Sequence, residues 1–260
     1  MRAGRGAITA LLVSASVAAC TGVSTDPETP VSLQFDSLPA LAVVVGDTMR
    51  GGDLLPARVP VRAFNGSGSA VSDGQLRLLG IDTTSVKAFE VISDLRLVGK
   101  VETPAVRIVA QSGSLQSQTQ TFAVVPPPTG IVRTSAAGDS IVYDRPDTAQ
   151  RFRDVGVNVI RQVAPESTLV SLNGLRVQFR VVSFSALLDS VRLVGTGTGR
   201  NATSAIVTGG TATIRLKAYT KAGTTGQSGM VVLQALHRSR GAEIRGSPLT
   251  ITVRLVPFTL

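Results

Sequence analysis

The residues able to do chemistry in this chain of 260 are few: it has one histidine and one cysteine. His237 follows Val231, Leu233 and Ala235 in the apolar phase of a strand-like run, so it reads as a half-buried edge residue rather than a base. A Ser-His-Asp triad would have to use it, and no nucleophile-elbow sequence accompanies it. Gly195-Thr196-Gly197-Thr198-Gly199-Arg200 has the composition of a phosphate loop. Such loops cradle an anion because they open a helix, whereas Asn201-Ala202-Thr203 leads into β-type sequence, so a sandwich loop is expected. Asp139, Asp144, Asp147 and Asp154 form a sparse acidic group. Calcium takes about 6–8 oxygens, and this spacing matches no calcium loop, so they read as solvated turn residues. A lone Cys excludes a disulfide framework and any multi-cysteine zinc or iron–sulfur site. No catalytic residue, metal site or cofactor is expected, and the chain does not read as an enzyme.

The cysteine has a position that does say something. Arg2 and Arg5 precede thirteen uncharged residues, Ala7 to Ala19. A spanning helix needs ~20 apolar residues, so this stretch has the proportions of a secretory signal peptide. It ends in Val17-Ala18-Ala19-Cys20, an aliphatic residue, two small residues and Cys. These residues resemble the lipobox of bacterial lipoproteins; an ordinary signal peptide with an incidental Cys, or a buried structural Cys, is the plainer alternative. The resemblance implies that residues 1–19 are removed by cleavage between Ala19 and Cys20. Cys20 then becomes the diacylglyceryl- and palmitate-type anchor, its partner the lipid bilayer. Each buried methylene contributes ~0.8 kcal/mol, and two or more chains anchor stably. By the sorting rule of enterobacterial lipoproteins, Thr21 in place of Asp implies the outer membrane.

An anchor needs a spacer and a load. Residues 20–30 run on from the lipidated Cys as a polar stretch with two prolines and no periodicity, which is a flexible tether. From Val31 onward the signal is period-2 alternation: Val31, Leu33 and Phe35, then Val59, Val61 and Ala63, then Val106, Ile108 and Ala110. Gly, Asp, Ser and Pro break it every ~8–12 residues, which predicts an all-β sandwich or barrel. Asn65-Gly66-Ser67-Gly68 is a hairpin turn signal. Val125-Pro126-Pro127-Pro128-Thr129-Gly130 marks a stiff joint. Beyond it, strands are expected at 140–143, 155–162, 175–183, 190–195, 211–219, 229–238 and 249–257. Residues 129–171 fit either extra strands of the second sandwich or a small insertion.

Val45-Gly46-Asp47-Thr48, Val61-Arg62-Ala63-Phe64-Asn65-Gly66 and Ala105-Val106-Arg107-Ile108-Val109-Ala110 stand in the order seen in group 2 bacterial immunoglobulin-like domains, the modules of intimin- and invasin-type surface proteins. Residues 31–126 resemble that family. The end of the chain is similar to its group 1 relatives: Gly209 to Leu216, Gly229 to Ala235, and Pro248 to Val253. The resemblance implies two tandem immunoglobulin-like β-sandwiches, 31–126 and 127–260, in a cell-surface structural or adhesion module.

Charge separates the two halves. In 31–126 six Arg and two Lys balance six Asp and two Glu, whereas 127–260 carries sixteen cationic against seven anionic residues and holds the whole excess of +9. Arg176 and Arg180 alternate with Val177 and Phe179, and Arg215 and Lys217 alternate with Ile214 and Leu216. If those strands share a sheet, Arg176, Arg180, Arg215 and Lys217 form one basic face that attracts polyanions; a merely solvated face is the alternative. The partners expected are anionic polysaccharide, lipopolysaccharide or another surface protein. With two Tyr, eight Phe and no Trp, stacking on bases is sparse, and specific nucleic-acid recognition is not expected.

Overall fold

The computed structural model describes residues 26–72, 74–134, 139–143, 152–163, 168–224 and 226–257. The signal peptide, Ala19 and Cys20, and the aspartates at 144 and 147, lie outside the described residues. No helix among those described is long and apolar enough to cross a membrane.

The chain is all-β. Its first half runs β1 (Ser32–Phe35), β2 (Ala42–Val44), β3 (Val61–Phe64), β4 (Ala70–Val71) and β5 (Arg77–Gly80), then the one-turn helix α1 (Thr83–Ala88). It continues with β6 (Phe89–Ile92), β7 (Arg96–Gly99), β8 (Thr103–Ser112), β9 (Leu115–Gln116) and β10 (Gln120–Val125). The second half opens with β11 (Gly130–Arg133), β12 (Ser140–Tyr143), β13 (Phe152–Val163), β14 (Thr168–Ser171), β15 (Arg176–Phe184) and β16 (Leu188–Gly195). It closes with β17 (Ser204–Ile206), β18 (Ala212–Thr220), β19 (Gly229–Leu236), β20 (Arg238–Ser239), β21 (Ala242–Glu243) and β22 (Leu249–Pro257). Every strand of the second half that sequence periodicity predicts is present, with ends shifted by a few residues. Helix α1 and the three-residue β17 carry too few residues for a periodic signal. Residues 129–171 contribute β11 to β14 and so belong to the second half's sheets.

Two compact units emerge. One is made of the described residues up to Asp36 with Val61–Arg77 and Ala110–Gln118. Its antiparallel sheet has the order β1-β3-β4, with Leu33 opposite Ala63 and Phe35 opposite Val61, so the four apolar side chains fall on one buried face. The Asn65 side chain closes the expected turn, its Oδ1 accepting from the Ser67 and Ser69 backbone N–H groups at 3.1 and 2.9 Å. Residues 26–30, the described end of the expected tether, form a turn in which Asp26 accepts from the Glu28 N–H (3.0 Å) and the Thr29 hydroxyl (2.8 Å). Asp-Pro followed by Thr is the chemistry such a turn needs. Those two bonds hold the Asp26 carboxyl below its usual range.

The other unit comprises Ser37–Pro60, Leu78–Val109 and Thr119–Leu260. One of its sheets has the order β2-β10-β8-β5, with β2 parallel to β10. Asp82 caps α1 by accepting from the Ser85 N–H at 2.7 Å, the usual means of satisfying an open helix start. The two large sheets of the second half are β11-β13-β18-β16 and β12-β22-β19-β15-β17. In chain order these are the A-B-E-D and G-F-C strands of the immunoglobulin sandwich, with β12 added parallel to β22 and β17 added on the β15 edge. Val155, Val157, Ile214 and Leu216 from one sheet and Val177, Phe179, Leu233 and Ile251 from the other share one buried cluster, the dry filling that holds two stacked sheets together. Among the described residues no sheet mixes strands from the two sides of Pro126–Pro128. Packing does cross that point: Ala42 and Val44 of β2 lie in the same cluster as Leu172 and Leu175.

Candidate functional site

The four expected cations point outward as their alternation requires, but they do not form one face. Arg176 and Arg180 are on β15 and Arg215 and Lys217 on β18, and these strands lie in opposite sheets of the sandwich. The condition of a shared sheet is therefore not met. Alternation says which side of a strand is wet; it does not say which sheet the strand joins. Here the chain crosses from one sheet to the other between β15 and β16, which places β18 beside β13 and β16.

Each cation has its own surroundings. Arg176 is half-buried, its Nε donating to the Pro39 carbonyl (2.7 Å) and Nη1 to the Ser204 hydroxyl (3.0 Å); burial lowers its pKa. It is a structural tie, not an exposed charge. Arg215 donates to both carboxylate oxygens of Asp154, at 2.7 and 2.9 Å, and its guanidinium lies 4.0 Å from the Phe152 ring centroid. The bond to Asp154 raises its pKa. Arg180 is exposed and its Nε meets only a neutral acceptor, Gln234 Oε1, at 2.8 Å. Lys217 stands directly opposite Arg192 on the neighbouring strand.

Arg192 was not singled out by sequence, although its alternation with Val191 and Leu193 would have shown it facing outward. It lies 5.6 Å from the Tyr219 ring centroid. Together with Arg180 it lines a cleft of about 740 Å³. One wall is β15 from Gln178 to Val181, the other is β16 from Val191 to Leu193, and Asn201 to Thr203 close one end. The cleft exists because β15 and β16, though consecutive, pair with different sheets and so leave a gap between their edges. The closing loop ties both edges: the Phe179 N–H donates to the Thr203 carbonyl (2.7 Å), and the Ala202 N–H to the Leu193 carbonyl (3.0 Å). Its lining residues are mixed: Arg180 and Arg192, the polar Gln178, Asn201 and Thr203, and apolar Val181, Val191 and Leu193. Among the described residues no carboxylate lines it.

The remaining reactive groups are committed elsewhere. Asp139 is not a solvated turn residue: it is 3% exposed and paired with Arg133 and Arg153, the latter donating to Oδ1 from Nε and Nη2 at 3.0 and 2.9 Å. Burial pushes its pKa up, but hydrogen bonds and charge from the two arginines outweigh this and hold it below the usual value. The fourth aspartate of that group, Asp154, is the partner of Arg215. His237 is buried more deeply than an edge residue, at 2% exposed, with Nδ1 2.8 Å from the Arg176 carbonyl. A carbonyl only accepts, so Nδ1 carries the proton. The Gly195–Arg200 segment is a turn leading to β17, closed by the Gly195 N–H on the Arg200 carbonyl at 2.9 Å, and it opens no helix. Among the described residues no group of three or more His, Cys, Asp or Glu could hold a metal ion.

No protein-family profile matches this chain, and no curated protein matches it in sequence. Among solved structures it is similar to domains 4–9 of the surface layer protein SbsC (TM-score 0.31, 14% identity, covering 89% of this chain and 32% of that one). It is also similar to the adhesin InvE of Yersinia pseudotuberculosis (TM-score 0.34, 11% identity, 86% and 58%). A third likeness is to a β-glycosidase from Bacteroides vulgatus (TM-score 0.29, 9% identity, 70% and 21%). The chain thus spans less than two thirds of each of these structures. Superpositions this loose carry no argument about activity; the immunoglobulin-like character rests on the strand order.

Proposed function

We propose that this protein is a lipid-anchored cell-surface module, held in the outer membrane by an acylated Cys20, that serves a non-enzymatic structural or adhesive role. The observation that carries the reading is the immunoglobulin strand order of the second half. This is an architecture whose interior is filled by aliphatic side chains and whose variable chemistry sits at edges and loops. The signal-peptide proportions and the Val17-Ala18-Ala19-Cys20 sequence support the anchor. Supporting the non-enzymatic part, His237 is enclosed and spends its proton on a carbonyl, and Asp47, Asp139 and Asp154 are held by arginines. We propose 31–126 and 127–260 as the two modules, similar to the group 2 and group 1 bacterial domains respectively. A Cys20→Ala chain tests the anchor by fractionation: it should leave the membrane pellet and lack acyl mass, while wild type partitions into detergent. Retention of the variant in the pellet would refute the lipoprotein reading. For adhesion, cells displaying the wild-type chain should attach to a polysaccharide-coated surface more than cells displaying none.

A second reading, a module that captures an anionic ligand, is favoured by the cleft between β15 and β16 and by the excess positive charge of 127–260.

A further inference from the structure

We propose that the cleft between β15 and β16 binds an acidic oligosaccharide, a short chain of uronate sugars. The inference rests on the reading of this chain as a non-enzymatic surface module and names the ligand class of one site on it.

Charge is the first reason. Several guanidinium groups are neutralised in place: Arg50 by Asp47, Arg107 by Asp82, Arg133 and Arg153 by Asp139, Arg215 by Asp154. Arg180 has an amide as its acceptor and Arg192 an aromatic face. Arg192 also has Lys217 directly across the strand pair. Among the described residues Arg180 and Arg192 line the cleft and no carboxylate does, and a concave space bordered by cations favours an anion within it. A carboxylate suits a guanidinium fork, which can donate two parallel hydrogen bonds.

The rest of the lining selects a sugar over the other anions. Gln178, Asn201 and Thr203 provide donors and acceptors of the kind hydroxyl groups use, and Val181, Val191 and Leu193 provide apolar contact for ring C–H faces. A volume of about 740 Å³ falls within the ~300–1,000 Å³ range of small-ligand sites. An extended peptide would need a run of free strand edge. On β15 that edge is covered by β17 at Arg176–Gln178 and by Thr203 at Phe179. On β16 it is used at Leu193 and Gly195 by the closing loop. Within the cleft this leaves Val181 and Val191, too little for strand addition. Nucleobases would need an exposed ring to stack on, and Phe179, the aromatic residue of the lining, is 1% exposed.

Calorimetry of the detergent-solubilised full chain with tetragalacturonate, its methyl ester and a tetra-aspartate peptide tests the proposal. The acid should bind, with affinity falling as salt rises, and the ester at least tenfold more weakly. Arg180→Gln and Arg192→Gln should each weaken binding at least tenfold with unchanged melting temperature, while Arg58→Gln, an exposed control, leaves it unchanged. Should either glutamine variant melt lower, Asn201→Asp, which places a repelling carboxylate in the closing loop, supplies the same test. The proposal fails if the acid does not bind, if ester or peptide binds as tightly, or if the variants bind like wild type. Recovered sugar of unchanged length keeps the non-enzymatic reading, whereas shortened sugar overturns that reading and leaves the site. Absence of binding overturns the site and leaves the module.

Discussion

The backbone N–H of Arg240 donates to Oδ2 of Asp47 at 2.6 Å, joining residues 193 apart in sequence. Asp47 also accepts from Nε and Nη2 of Arg50 (3.0 and 2.8 Å) and from the Thr48 N–H (2.8 Å). The Arg240 side chain returns to the Val45 carbonyl at 2.9 Å. The Val45-Gly46-Asp47-Thr48 turn is thus also a docking point for the loop between β20 and β21.

Removing that carboxylate leaves Arg50, whose side chain is 11% exposed, without its counter-charge. Truncating one partner of a buried ion pair costs about 3–5 kcal/mol. Asp47→Ala should lose that much in urea unfolding, and Asp53→Ala, at an exposed turn nearby, under about 1 kcal/mol.

Gly174 is a second point of close approach. The backbone N–H groups of Leu41 and Ala42 both donate to its carbonyl at 3.0 Å. It has φ +81°, and an added Cβ would lie 2.7 Å from the Ala42 Cβ and 2.8 Å from the Leu41 carbonyl carbon. Gly174→Ala should destabilise by about 1–3 kcal/mol through overpacking, on top of the strain of a left-handed conformation. Gly197→Ala meets nothing within 4 Å and should melt like wild type.

His237 makes stability depend on pH. Burial lowers its pKa; the Arg176 carbonyl raises it, the Arg50 charge lowers it and Asp47 raises it, with a net fall below 6.5. Among the described residues its buried Nε2 has no hydrogen-bond partner. The unfolded chain takes up that proton near pH 6.5 and the folded chain does not. Unfolding therefore binds protons, and stability is complete above pH 6.5 and falls as pH drops below it. Melting temperature measured from pH 7.5 to 5 should decline, and His237→Gln should flatten that part of the curve.

The second sandwich borrows part of its core. Expressed alone, residues 127–260 should unfold cooperatively, since both large sheets and nearly all their filling are their own. Without Ala42 and Val44 the fragment should be less stable than the same sandwich in the full chain by about 2–4 kcal/mol, the scale of burying one or two aliphatic side chains. An unfolded fragment by circular dichroism would show that the segment around β2 is indispensable.

Much of this was legible locally. Strands such as 140–143 and 249–257 follow from alternation, because a half-buried strand must place its apolar residues at every second position. The Asn65 turn follows from side-chain chemistry that acts within four residues. Asp47 could be read as a turn residue but not as the acceptor of an N–H 193 positions away, and Asp139 gave no sign in sequence of the two arginines enclosing it. The outward phase of Arg176, Arg180, Arg215 and Lys217 was written in the chain, yet their separation onto two sheets was not.

Period, turn residues and charge distribution belong to short windows of chain, and they suffice for an all-β protein with a neutral first half and a basic second. Which strand edges face each other depends on where the chain crosses between sheets, and that is decided by packing among residues far apart in sequence. The cleft of Arg180 and Arg192 arises at such a crossing, between two strands that are neighbours in the chain but not in any sheet. The burial of His237, which lines one small cavity with Ala40 and Ala42, has the same origin: residues so far apart in sequence meet only when the whole core closes.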